Sequence, residues 1–174
     1  MSPRAKGVGA VARIAAAASI GDVRLMEATV KRRIRHATEV GDKALVTIGH
    51  GARLGGVPST DGSFFVVAGV EAKVAPQDSK AAPFIVVKVS FEVSYRLPEG
   101  FTATKAELAE FAQTNGVFNA WPYCREFIQN ATVRMGLPPI VLPLYRVKAY
   151  ASEGKKARRE SRAGGADSPD LSAD

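Results

Sequence analysis

The chain has 174 residues, 46% of them hydrophobic, one cysteine and a formal net charge of +7. That size suits one globular domain with a tail rather than two domains. The lone Cys124 excludes an internal disulfide and points to a reducing, cytoplasmic setting. No apolar run approaches the ~20 residues that a membrane span needs.

Residues 1–20 read as an N-terminal segment, flexible or helical. GVGAVARIAAAASIG resembles a signal h-region only faintly, because Arg13 interrupts it. GVGAVA at 7–12 fits G-x-G-x-x-A, but a dinucleotide fingerprint follows a strand and MSPRAK is not one. The positive charge gathers early: residues 1–40 carry eight basic side chains against three acidic ones, above all in Lys31-Arg32-Arg33-Ile34-Arg35. Such a run attracts phosphate or an acidic protein, or serves as a solvated basic strand.

Four strands follow in chain order. In residues 23–35 the apolar phase slips from Val23 and Leu25 to Met26, Ala28, Val30 and Ile34, which a β-bulge explains. Residues 44–54 are a weaker strand, with Val46, Ile48 and Leu54 in phase and Gly49 and Gly51 loosening it. Residues 64–74 alternate cleanly through Phe64, Val66, Ala68, Val70, Ala72 and Val74. Residues 84–97 alternate best: Ile85, Val87, Val89, Phe91, Val93, Tyr95 and Leu97 share a dry face, with Lys88, Ser90, Glu92, Ser94 and Arg96 on a wet one. One wet face and short turn-rich connections predict an antiparallel sheet.

Helices come next. Thr104 with Glu107 forms a capping box for a short helix over 105–114, with Leu108, Phe111 and Ala112 on one side and Asn115-Gly116 as its stop. A longer helix is predicted with Asn119 as cap and Pro122 in its first turn. Its apolar face holds Ala120, Cys124, Phe127, Ile128, Ala131 and Met135, with Arg125, Gln129 and Thr132 opposite and Gly136 as terminator. LPPIVLPL at 137–144 is then almost wholly apolar, yet its prolines bar it from a helix interior or a central strand. Residues 151–174 lack aromatic residues and apolar periodicity and read as a disordered polar tail, leaving 21–150 as the domain.

No chemistry converges. His36 and His50 are the only histidines, and the chain cannot supply the usual histidine and cysteine ligands of a metal site. Cys124 sits on an apolar helix face without a histidine nearby in sequence. The expectation is a non-enzyme with no cofactor and no metal. Nucleic-acid readers interleave aromatics with basic residues on an exposed face, whereas Phe91 and Tyr95 lie on the dry face and 31–35 contains no aromatic.

WPYCREF at 121–127, followed by RMGLPPIVLPL at 134–144, resembles the SecB family of ATP-independent chaperones. There an aromatic-Pro-Tyr-x-Arg-Glu element opens the long helix and a Gly-x-x-Pro-Pro-like apolar loop follows it. The motif-level similarity covers about 115–147, and over 20–97 the likeness is one of pattern. The resemblance implies an α+β SecB-like fold: a four-stranded antiparallel sheet, a short helix and a long helix. It also implies a dimer of dimers that holds unfolded or precursor polypeptides in apolar grooves, without membrane insertion. Leu137, Ile140, Val141, Leu142 and Leu144 are then the candidate client-binding residues. Trp121, Pro122, Tyr123, Arg125, Glu126, Gly136, Pro138 and Pro139 are motif residues with structural roles, Trp121 and Tyr123 in packing and Arg125 and Glu126 in orienting the helix.

The chain departs from the family in charge. Members that deliver precursors to the SecA translocation motor use an acidic sheet surface, whereas this sequence has a pI near 9.8. Docking on SecA by that route does not follow, and chaperones that protect the antitoxin of a toxin–antitoxin pair are the nearest variant. An alternative from another class is a basic nucleic-acid-binding protein using residues 31–35 and 155–162. A third is an assembly subunit whose apolar loop is buried against its own neighbour.

Overall fold

Two alternating sequences build the centre of the fold. The computed structural model describes residues 4–40, 44–56, 59–77 and 81–146. Helix α1 (Arg4–Ala17) leads into β1 (Ser19–Arg32); a 3-10 turn (Ala37–Val40) precedes β2 (Ala44–Leu54), β3 (Ser63–Pro76) and β4 (Ile85–Arg96). Then come α2 (Lys105–Phe111), a π turn (Ala112–Gly116) and α3 (Val117–Arg134). The tail expected at 151–174 lies outside the described residues.

The sheet order is β1-β4-β3-β2, and every pairing is antiparallel. β3 and β4 are central, and alternate residues of both are buried along their length. The apolar slip in the first strand corresponds to register shifts against β4 between Ile20 and Val23 and between Leu25 and Glu27. The core lies between the dry sheet face and a helical layer in which Leu108, Phe111, Ala120, Cys124 and Ile128 are buried.

The capping box forms as the sequence indicates. Thr104 Oγ1 accepts from Glu107 N at 3.2 Å, and Glu107 Oε2 accepts from Thr104 N at 2.8 Å. Asn115-Gly116, however, is not a stop. The helix widens into the π turn and continues as α3, with Val117 N–H donating to Ala112 O. Gly116 has φ −61°, so no left-handed residue is needed there. Its role is close approach, since a Cβ would lie 2.6 Å from Val66 Cγ1 on β3. Asn119 is correspondingly no cap; its amide donates to the Tyr95 hydroxyl at 3.0 Å. Pro122 lies inside α3 rather than in its first turn, and on the exposed side. Gly136, at φ +71°, does end α3.

Thr132 also departs from expectation. It is fully buried, because its hydroxyl satisfies both of its capacities inside the protein. It lies 3.1 Å from Ile128 O and 2.9 Å from Gln129 O as donor, and accepts from Ile140 N at 3.1 Å.

The turn before β3 is organised by Asp61. Ser59 Oγ donates to its carboxylate, as do Ser63 N at 3.1 Å and Ser63 Oγ at 2.9 Å, and Arg96 stands 3.4 Å away. These donors, Ser59 first, hold Asp61 down from 3.8 to about 2. A lowered folded pKa stabilises the fold above the unfolded value and is lost as pH falls through the folded one. Asp61→Asn should therefore remove part of the loss in urea midpoint that the parent protein shows between pH 3.8 and about 2. Parallel urea titrations across that window test this, and identical acid limbs would contradict it.

Candidate functional site

After Gly136 the chain doubles back along the sheet as an extended segment. Pro138, Pro139 and Pro143 contribute no N–H, so few backbone donors need partners. Side chains of α3 anchor what remains: Ile140 N–H bonds to Thr132 Oγ1, and Trp121 Nε1 donates to Pro143 O at 2.8 Å. Leu137 and Leu142 turn inward and are buried, Ile140 is half-buried, and Val141 and Leu144 are 50% and 72% exposed.

Between this segment and the sheet runs a groove of about 620 Å³. One wall is Leu137, Pro138, Pro139, Ile140 and Val141; the floor is Ala44, Val46 and Ile48 of β2 with Val74 and Ile85; Ala37 and Val40 of the 3-10 turn close an end. Thr132 is the single polar side chain in the lining, and its hydroxyl is already bonded. The groove stays open because α3 packs chiefly on β3 and β4, leaving Val46 53% exposed. Two residues further along the same face, His50 stands edge-on to Trp121 and Tyr145, at ring-centroid distances of 5.4 and 5.2 Å. An apolar channel thus ends in an aromatic corner.

Of the candidate client-binding residues, Leu137, Ile140 and Val141 line the groove, whereas Leu142 lies in the core and Leu144 faces out beyond the lining. The sequence marks the floor residues Val46 and Ile48 only as in-phase positions of a weaker strand; their in-phase apolar side chains on a glycine-loosened strand are the available signal. Trp121 is buried beside Tyr145, with ring centroids 5.0 Å apart. Tyr123 is 45% exposed, its ring 5.8 Å from that of Phe91. Glu126 accepts from the Asn130 amide on its own helix, and Arg125 is half-buried. Removing the Thr132 hydroxyl should strip the wall of an anchor. Thr132→Val leaves Ile140 N–H without its acceptor and should cost about 1–3 kcal/mol in urea unfolding; a loss below a few tenths would contradict the anchoring role.

No family model matches the chain. The SecB-like chaperone Rv1957 of Mycobacterium tuberculosis strain ATCC 25618 / H37Rv is 28% identical over 147 residues, covering 76% of this chain and 80% of that protein. The SecB-like chaperone MT2006 of strain CDC 1551 / Oshkosh matches to the same extent. The solved structure of Rv1957, in complex with a ChAD peptide from the Rv1956 HigA1 antitoxin, superposes with a TM-score of 0.68 at 23% identity, over 79% of this chain and 97% of that one. The chain shares the fold of this SecB-like chaperone and is similar to it in sequence.

Cys124 is buried, and burial pushes its thiol up to about 12, so it stays protonated and unreactive at neutral pH. Among the described residues no group of three or more His, Cys, Asp and Glu is placed to hold a metal ion. In the basic run, Arg32 donates to Met135 O at 2.7 Å and to Arg35 O and so ties β1 to the end of α3, while Lys31, Arg33 and Arg35 are exposed. The outer sheet face mixes Arg24, Lys31, Arg53, Lys73, Lys88 and Arg96 with Glu27, Glu71 and Glu92, a basic rather than acidic surface. No helix of the described residues is long and apolar enough to cross a membrane.

Proposed function

We propose that this SecB-like chain is an ATP-independent chaperone, a holdase that keeps non-native polypeptide bound in the groove between its C-terminal segment and β2. The observation that carries the reading is the pairing of an apolar floor, with Val46 exposed and Ile48 half-buried, with the anchored wall of Leu137, Ile140 and Val141. Burying one client side chain there contributes ~1.5–3 kcal/mol and demands no particular sequence. Contacts of that size, repeated, hold many clients and release them again. Leu144, exposed at the far end, extends the apolar track, while Leu142 fixes the segment to the core. The names of the relatives, and the peptide bound by the structural neighbour, support polypeptide as the occupant.

Assembly into a dimer of dimers fits the remaining apolar surface. Ile20, Leu25 and Val30 on β1 are about half exposed, as are Phe118 and Val133 on α3, more than a solitary chain gains from showing to water. The basic outer sheet face argues for delivery to something other than an acidic-surface-seeking SecA, and a dedicated client such as an antitoxin fits that departure. The setting is the cytoplasm, and no cofactor takes part.

Salt tests the reading. A urea-unfolded, apolar-rich client should co-elute with the protein in gel filtration equally well at about 50 and about 200 mM salt, because apolar burial does not weaken over that range. Binding that collapses over the same interval would favour phosphate or nucleic-acid recognition instead.

A further inference from the structure

We infer that Arg32 reads a carboxylate of the client at one end of the groove, so that the site takes an apolar segment flanked by aspartate or glutamate; this rests on the groove reading above. Residues directly paired across a sheet project to the same face. Val46 pairs with Val74, Val74 with Ile85 and Ile85 with Arg32, so a single row crosses all four strands. The first three members are groove floor, and the fourth, exposed on the same face, ends in a guanidinium. That group lies where two parts of the groove begin. Its Nη1 donates to Met135 O at 2.7 Å, two residues before the wall opens at Leu137. Its Nη2 donates to Arg35 O, two residues before Ala37 of the closing turn.

The guanidinium is held in place, but its charge is not answered. Backbone carbonyls orient such a group without neutralising it, and these two bonds leave N–H donors to spare. Among the described residues Arg32 enters no ion pair. Glu39, the carboxylate of the closing turn, is turned to the backbone instead: its Oε1 accepts from Arg35 N at 2.9 Å and from His36 N at 2.7 Å. Arg35 is exposed and adds a second positive charge at this end, while the groove lining itself is uncharged. Beside apolar walls a charge is screened less than on an open surface. A guanidinium fork also matches the two oxygens of a carboxylate, whereas a lysine or arginine of the client would meet like charge there. The occupant is therefore a polypeptide whose apolar run gives way to acidic residues.

The test uses three fluorescein-labelled peptides that share one short core of leucine, valine and alanine. They carry paired glutamates, glutamines or lysines at each end, and anisotropy against the full-length protein gives their affinities. At about 50 mM salt the glutamate peptide should bind about five- to tenfold more tightly than the glutamine peptide, and the lysine peptide more weakly than either. At about 500 mM the three should agree within about twofold, because salt screens ion pairs and not apolar contacts. Arg32→Gln should bring the glutamate advantage below about twofold at the lower salt. Arg32→Lys, which keeps the charge and loses the fork, should hold it in between. Circular dichroism checks both folds. Equal affinity of the glutamate and glutamine peptides for the parent protein, or an undiminished advantage in either folded variant, would overturn the carboxylate inference and leave the groove standing. Failure of the glutamine peptide to bind would overturn both.

Discussion

Replacing Val46 and Val141 together with aspartate is expected to weaken client binding at least about thirtyfold while leaving the protein folded. Both side chains line the groove, one on the floor and one on the wall, and both are already about half exposed. Half-exposed positions change unfolding free energy by about 1 kcal/mol or less, even allowing for the poor strand preference of aspartate. Each apolar contact denied to the client costs ~1.5–3 kcal/mol, and the paired loss corresponds to a thirtyfold change or more. Fluorescence anisotropy with a labelled unfolded client measures the binding, and circular dichroism confirms the fold. Unchanged affinity in a folded double variant would move the site elsewhere.

Trp121→Ala should have the largest effect on stability, about 3–5 kcal/mol. The indole is buried, packs against His50 and Tyr145, and supplies the hydrogen bond that holds Pro143 O. The segment after Pro139 has few other polar anchors, so removing the indole should loosen it and blur the groove wall. Trp121→Phe separates the contributions. It keeps most of the buried area and loses only the Nε1–H donor, so its cost should be near ~1 kcal/mol. Urea unfolding of both variants measures the two values. Equal losses would mean that the hydrogen bond rather than the packing dominates.

Much of this was legible in the residues. Strict alternation over β3 and β4 can be satisfied only by a sheet with one dry face, and the apolar slip in β1 could be absorbed only by a change of register. The capping box at Thr104 and Glu107 is a local device that needs no tertiary partner, which is why it reads directly. Gly116 misled because Asn-Gly is chemically a good stop; what fixes it is the nearness of Val66, a contact between residues far apart in sequence. Thr132 misled by its hydroxyl. It lies four residues after Ile128 on the buried stripe, and only the return of Ile140 supplies the donor that makes its burial favourable. The groove floor was half legible for a similar reason. Alternation marks Val46 and Ile48 as apolar-facing, but whether a helix covers that face depends on where α3 crosses the sheet. The wall was clearer, since an apolar segment crowded with proline has few regular structures to enter.

The most direct measurement of the central claim is aggregation suppression. The purified protein, without nucleotide, is mixed with a chemically unfolded, apolar-rich client as the denaturant is diluted, and light scattering is followed. The groove account predicts full suppression at about one assembly per client. Undiminished aggregation in the presence of folded, assembled protein would contradict it.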